Sequence, residues 1–276
     1  MLSINPNPLI IRDIAARLRT RLWGKVKVEI HDRIDSTNRR AMDLGRNGAP
    51  AGTLVLAENQ TAGRGRYGRT WHSPSRTNLY MSIILRPDIR TSVPSLITLA
   101  AGLGAARALA VVAGLPIGVK WPNDLILQNR KLAGILAELE PSGPHGPFVV
   151  LGIGVNINMD ENQWPEDLAR KAISLKMALG RIVDRAVVLA ELLNEMEREY
   201  IELQQGRVSG LLDRYRQACI TLQTVVTVAS AGDSVTGLAL DVDNEGRLMV
   251  QQPDRSILHL DAGEVTLSVP QEKKAL

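Results

Sequence analysis

Asn59-Gln60-Thr61-Ala62-Gly63-Arg64-Gly65-Arg66-Tyr67-Gly68-Arg69-Thr70-Trp71 is the stretch on which the reading of this chain turns. Glycine and arginine alternate along it: Gly63, Gly65 and Gly68 interleave with Arg64, Arg66 and Arg69. Glycine opens backbone conformations closed to other residues, at a cost in ordering entropy. Arginine carries a planar, permanent charge whose fork matches carboxylate and phosphate oxygens. Three guanidiniums this close repel one another until an anion arrives. The stretch therefore reads as a binding loop, mobile when empty and ordered when filled, against the plainer alternative of a solvated basic surface loop.

The same letters satisfy G-x-G-x-x-G, the fingerprint of a dinucleotide fold, but the context does not. An apolar strand precedes the loop at 53–58, yet Thr70-Trp71-His72-Ser73-Pro74 has no apolar period and ends in a proline, so no helix follows.

Working outward, 276 residues hold one large domain or a medium domain with a small one. A hydrophobic share of 45% fits a packed core, and with a single Phe that core must be built from Leu, Ile, Val and Ala. The net charge of +4 is too small to demand nucleic acid. Cys219 is the only cysteine, which excludes an internal disulfide framework and a cysteine zinc site. Its expected place is a buried apolar one. The four histidines show no metal spacing, so no metal ligands are assigned. Residues 93–115 are apolar enough to suggest a membrane span, but Arg107 interrupts them and prolines and glycine bracket them, so a core helix is the reading. The first residues lack the basic start and apolar run of a signal peptide. The expectation is a soluble cytoplasmic protein without membrane association.

Along the chain, spacing predicts an amphipathic helix over 8–22 and a strand over 26–30. Asp35-Ser36-Thr37-Asn38 suits a helix N-cap, with Ser36 and Thr37 serving either as cap or as ligand contacts. Strands are expected at 53–58, 78–86, 125–127, 131–140 and 148–158, and helices at 95–113, from Asp184 to about 205, and at 208–218. After Cys219 five short β-rich segments (224–229, 234–241, 246–252, 256–260, 263–269) alternate with Gly, Asp and Asn turns, as in a small barrel of about fifty residues. The domains are therefore drawn as 1–219 and 220–276, with 271–276 a frayed tail.

Four further stretches set polar residues where strands end: Ser36-Thr37-Asn38, Lys120-Trp121-Pro122-Asn123-Asp124, Lys131-Leu132-Ala133-Gly134, and Gly152-Ile153-Gly154-Val155-Asn156-Ile157-Asn158. Alone, Lys131 reads as a surface lysine and the asparagines as turn residues. Together and in this order they resemble the biotin–protein ligases, over nearly the whole chain. Ala172-Ile173-Ser174-Leu175 departs from the commoner Ala-Thr-Ser-Leu of that family and leaves the role of Ser174 open. No DNA-reading module is expected before residue 30, which sets the chain apart from bifunctional repressor-ligases.

The resemblance implies an α+β fold: a mixed sheet with flanking helices, as in class II aminoacyl-tRNA synthetases, plus an SH3-like C-terminal barrel. It implies ligation in two steps, from biotin and ATP with Mg²⁺ through biotinyl-5′-adenylate to an amide on a lysine of a biotin carboxyl carrier protein, with a homodimer left open. Its biotin pocket maps onto Ser36, Thr37, Asn38, Gln60, Gly63, Arg64, Gly65, Arg66, Lys131, Gly152 and Gly154, the last two giving close backbone approach. Its nucleotide contacts map onto Arg69, Trp121, Asn123 and Asn156. Lys131, Arg64 and Arg66 would neutralise the reacting anions, and Asp124 would orient or deprotonate the carrier lysine or simply cap a turn. The rival readings are a lipoate–protein ligase, a biotin-sensing repressor, disfavoured for want of a DNA-binding helix module, and a catalytically silent binding module, disfavoured by the intact Lys131 and arginine loop.

Overall fold

Fully apolar runs of four to eight residues predict strands buried on both faces. A computed structural model, which describes residues 8–88, 94–230 and 233–267, pairs seven strands into one mixed sheet. In chain order they are β1 (Val28–His31), β2 (Leu54–Ala57), β3 (Leu79–Leu85), β4 (Gly118–Lys120), β5 (Asp124–Leu127), β6 (Arg130–Glu140) and β7 (Phe148–Val155). Across the sheet the order is β1-β2-β3-β7-β6-β5-β4. β1 and β2 are parallel and every other pair is antiparallel.

The helices are α1 (Ile11–Ala15), α2 (Thr37–Arg46), α3 (Pro94–Ala113), α4 (Glu166–Ala169), α5 (Leu175–Leu179), α6 (Arg185–Gln204) and α7 (Val208–Ala218). Strand period 2 divides the sheet between them. Met81, Ile83 and Leu85 of β3 pack with α3 and α6, while Ile84 and Val150 pack with Ala41 and Leu44 of α2. The central strands are thus sealed on both sides. Only the end of the sheet beyond α2 stays open, where the cross-strand rows are Ser82–Gly152–Leu136 and Tyr80–Gly154–Gly134.

α3 is the helix, among the described residues, long and apolar enough to cross a membrane by length and composition, and it is buried along most of its length. It lies close against α6: a Cβ on Gly104 would come 2.6 Å from the Met196 Cα. Arg107, the charge that interrupts the apolar run, pairs at 2.7 Å with Glu199, a carboxylate 1% exposed that also meets Arg214 of α7. With Arg198 a third guanidinium at 3.5 Å, this buried carboxylate satisfies the condition for charge in a core.

The helix expected over 8–22 shortens to α1. The reason lies in tertiary hydrogen bonding: Glu197 of α6 accepts from the backbone N–H groups of Arg21, Leu22 and Trp23, and Asn194 accepts from Arg19. Those N–H groups find side-chain partners on α6 in place of carbonyls of their own segment, so the amphipathic period does not propagate. The other expected elements are found within a few residues of their observed bounds, while β4, α4 and α5 have no expected counterpart. Ser36 caps α2, Asp184 caps α6, and α7 spans the expected residues.

Five more strands, β8 (Val225–Ser230), β9 (Asp233–Val242), β10 (Leu248–Gln251), β11 (Ile257–Leu260) and β12 (Glu264–Leu267), coincide with the five expected segments. They form a separate antiparallel sheet in the order β11-β10-β9-β8-β12. The expected tail at 271–276 lies outside the described residues. The apolar core runs on between the two sheets: Leu96 and Leu99 of α3 share one cluster with Val242, Leu248 and Val265.

Candidate functional site

The open end of the large sheet floors a cavity of about 870 Å³, walled by the glycine–arginine loop, the start of α2, and Gly263, Glu264 and Val265 of the small sheet. That size suits a small organic ligand. Every residue given a biotin, nucleotide or catalytic role from the sequence lines it except Gly63 of the loop, where a Cβ would come 2.6 Å from the Trp71 carbonyl oxygen.

On one wall the polar groups are small and interlocked. Ser36 caps α2, its side chain accepting from the Arg39 N–H at 3.5 Å. The N–H and hydroxyl of Thr37 both donate to Gln60 Oε1, at 2.9 and 3.1 Å. Ser82 Oγ lies 2.6 Å from Asn38 Oδ1 and 2.8 Å from Thr37 Oγ1. Asn38 Nδ2 donates to Glu138 Oε2 at 2.8 Å. Asn38 therefore has both ends of its amide assigned, which fixes its orientation. A Cβ on Gly152 would sit 1.9 Å from Asn38 Oδ1, and one on Gly154 would sit 2.4 Å from the Trp71 indole. The room above these two glycines is taken by Asn38 and Trp71.

The three loop arginines do not face one another. Arg64 pairs with Glu138 at 3.0 Å. Arg66 donates to Asn123 Oδ1 at 3.2 Å and to the Gly263 carbonyl at 3.3 Å, with its guanidinium 4.9 Å from the Tyr67 ring centre. Arg69 makes a two-pronged ion pair with Glu264, its Nη1 2.7 Å from Oε1. Glu264 draws the Arg69 guanidinium pKa up, and Arg69 holds the Glu264 carboxyl below its ordinary range. Acceptors of the chain itself thus relieve the repulsion that the sequence implies. Tyr67 sits at φ 56°, the left-handed conformation, at the turn of the loop.

At the centre, Lys131 Nζ lies 2.6 Å from Asp124 Oδ1 and 5.5 Å from the centre of the Trp71 ring. The Trp71 indole N–H is buried and has no hydrogen-bond partner among the described residues. Burial pushes the Lys120 ammonium pKa down, Asp124 and Glu264 pull it back up, and Lys131 pushes it further down. Asn156 is buried and donates to the Lys131 carbonyl at 3.2 Å. Trp121, expected at a nucleotide, is 1% exposed, and its indole N–H donates to the Gly246 carbonyl at 3.0 Å. It pins the small sheet to the large one. Ser174, left open by the sequence, donates to the Met159 carbonyl at 2.7 Å and caps α5 by accepting from the Met177 N–H.

Comparison with known proteins fits this geometry. Residues 30–158 match the biotin/lipoate A/B protein ligase family, and 225–268 match the biotin protein ligase C terminal domain. The biotin--[acetyl-CoA-carboxylase] ligase of Mycobacterium tuberculosis is 33% identical over 264 residues, covering 94% of this chain and 95% of that one. The chain belongs to the biotin protein ligase family. The bifunctional ligase/repressor BirA of Bacillus subtilis is 34% identical over 246 residues, 89% of this chain and 75% of that protein. Among solved structures, the Aquifex aeolicus biotin protein ligase in complex with biotin and ATP superposes with a TM-score of 0.76 at 26% identity, over 88% of this chain and 98% of that one.

Within this biotin protein ligase fold, sequence reasoning missed Ser82, Glu138 and Glu264. Ser82 is a lone polar residue in the apolar run Leu79–Leu85, which was a usable signal. Glu138 alternates into the face of β6 that carries Gly134, which is also legible once the strand is drawn. Glu264 had none: it reaches the site from a different sheet.

Proposed function

We propose that this biotin protein ligase joins biotin to ATP and then to a lysine of a biotin carboxyl carrier domain. One observation carries the reading of the site: in a single cavity a neutral polar wall (Thr37, Asn38, Gln60) meets a cluster of cations (Arg64, Arg66, Arg69, Lys120, Lys131). A ureido ring is neutral and rich in donors and acceptors, so it suits the wall, and the side-chain carboxylate and the triphosphate suit the cations. In the first step a carboxylate oxygen attacks the α-phosphorus and pyrophosphate leaves. In the second, the carrier amine attacks the acyl carbon, AMP leaves, and the ammonium proton is lost.

Lys131, Arg64 and Arg66 neutralise the two anions as they approach, work that water would do poorly. The Trp71 indole N–H is a ready donor to a ligand oxygen, because a buried polar group without a partner is rare. Asp124, beside Lys131 in the cavity, orients or deprotonates the incoming amine in this reading. No cluster of three or more His, Cys, Asp or Glu suited to a metal occurs among the described residues. The site carboxylates Asp124, Glu138 and Glu264 each face a cation of the chain. Mg²⁺ would therefore arrive on the nucleotide's phosphates, its usual manner of binding, and supply charge neutralisation there. ATP use and a single buried cysteine favour a cytoplasmic setting.

The deciding experiment incubates the protein with ATP, Mg²⁺, a carrier domain and either biotin or lipoate, and reads the carrier by mass. A shift of one biotinyl group with biotin alone is expected. A shift with lipoate instead overturns the choice of acid, and no shift with either overturns the reaction.

A further inference from the structure

Glu138 stands apart from the other site residues because it belongs to neither ligand-binding set, yet it joins the two. Its Oε2 accepts from Asn38 Nδ2 at 2.8 Å, on the polar wall. Its Oε1 lies 3.0 Å from Arg64 Nη2, and Arg64 Nη1 also reaches Oε2 at 3.4 Å, on the loop. Asn38 is buried and Glu138 mostly so, while Arg64 is half exposed. One end of this bridge is therefore rigid and the other belongs to a surface loop. Glu138 itself is fixed by β6, which is paired along its length with β7.

We infer that Glu138 is a positioning residue: it orients the Asn38 amide for the acid's ring and clamps Arg64 so that the glycine–arginine loop closes over the activated product. This rests on the ligase reading above. Two separable consequences follow from its two oxygens. Without an acceptor at this position the Asn38 amide keeps only Ser82 at 2.6 Å and the Leu136 carbonyl at 3.4 Å, and its orientation is held less firmly. Without the negative charge Arg64 loses a charge-assisted partner, and the loop loses its tether to the strand.

Glu138→Gln keeps an acceptor for Asn38 but removes the charge, whereas Glu138→Ala removes both. Glu138→Gln is expected to leave the KM for biotin within about twofold, and Glu138→Ala to raise it about fivefold to tenfold. The KM for ATP in pyrophosphate exchange should change far less in both. Both variants should release several-fold more free biotinyl-adenylate than the unmodified protein, measured as AMP formed in excess of carrier biotinylated. Glu138→Asp tests rescue: the charge is kept and leakage should fall back at least partway.

A Glu138→Ala protein with unchanged biotin KM and unchanged leakage overturns the inference. So does an equal rise in both KM values that tracks a fall in Tm, since that is the signature of a merely structural side chain. If the unmodified protein itself shows no biotin-dependent exchange, it is the ligase reading that fails; trypsin cleavage at Arg64 then tests the clamp alone. More cleavage in Glu138→Gln than in the unmodified protein supports the clamp, and equal cleavage overturns it.

Discussion

Lys131 Nζ and Asp124 Oδ1 are 2.6 Å apart on neighbouring strands, with the Trp71 ring beside the lysine. The pair sets a cation and a carboxylate side by side in the cavity, the first proposed to meet the reacting anions and the second the carrier amine. Lys131→Ala should lower adenylate formation about a hundredfold or more, the scale for losing a preorganised charge at a reacting anion. Asp124→Asn should impair transfer to the carrier more than adenylate formation. Pyrophosphate exchange reads the first step and carrier mass the second. Wild-type exchange in Lys131→Ala removes the lysine from the chemistry.

The loop is tied down by Arg64 to Glu138, Arg66 to Gly263 and Arg69 to Glu264. Ion pairs with this much exposure weaken as salt screens them. Trypsin should therefore cut at Arg64–Arg69 faster at high salt in the free protein, and more slowly when biotin and ATP are present. Cleavage indifferent to both would show that neither the carboxylates nor ligands order the loop.

Gly154→Ala should disturb the site without unfolding the protein. The new Cβ would come 2.4 Å from the Trp71 indole, a separation no packed side chain tolerates. Trp71 must move, and with it the neighbour of Lys131. A loss of biotin affinity with little change in Tm is expected, read by titration and thermal unfolding. Unchanged affinity would show that the position of Trp71 is immaterial to binding.

Lys120 gives the pH dependence its sign. Burial holds its ammonium pKa below the ordinary 10.5. As pH rises through that lowered value the folded protein gives up the proton before the unfolded chain does. Lys120's contribution to stability therefore grows with pH in that window while its pull on anions falls. Nucleotide affinity should decline on the alkaline side before a free lysine would titrate, and Lys120→Arg should keep affinity to higher pH. An alkaline decline unmoved by that substitution rules Lys120 out as its source.

Away from the site, Glu58 and Arg185 form an ion pair 2.5 Å long with both side chains 2% exposed, and Glu58 also accepts from the Leu9 N–H. Removing one partner strands a buried charge, at a cost of about 3–5 kcal/mol. Arg185→Met should lower the urea midpoint accordingly. A change under 1 kcal/mol would mean that water or a rearranged neighbour replaces the guanidinium.

The sequence by itself pointed to the class of fold, to most of the strands along the chain, and to many of the residues that line the cavity. Apolar runs such as Leu79–Leu85 and capping residues such as Ser36 and Asp184 act locally, and glycine interleaved with arginine has few uses besides holding anions. Tertiary structure decided what each site residue touches. Glu138 and Glu264 neutralise the loop from a neighbouring strand and a second sheet, Trp121 became a pin between sheets, and Gly152 and Gly154 made room for Asn38 and Trp71. The helix expected over 8–22 gave way for the same reason, its N–H groups captured by Glu197 on α6. Local patterns fix what a residue can do. Contacts between residues far apart in the chain, 74 positions for Arg64 and Glu138 and 195 for Arg69 and Glu264, fix what it does, because electrostatics and packing depend on distance through space, which no spacing along the chain records.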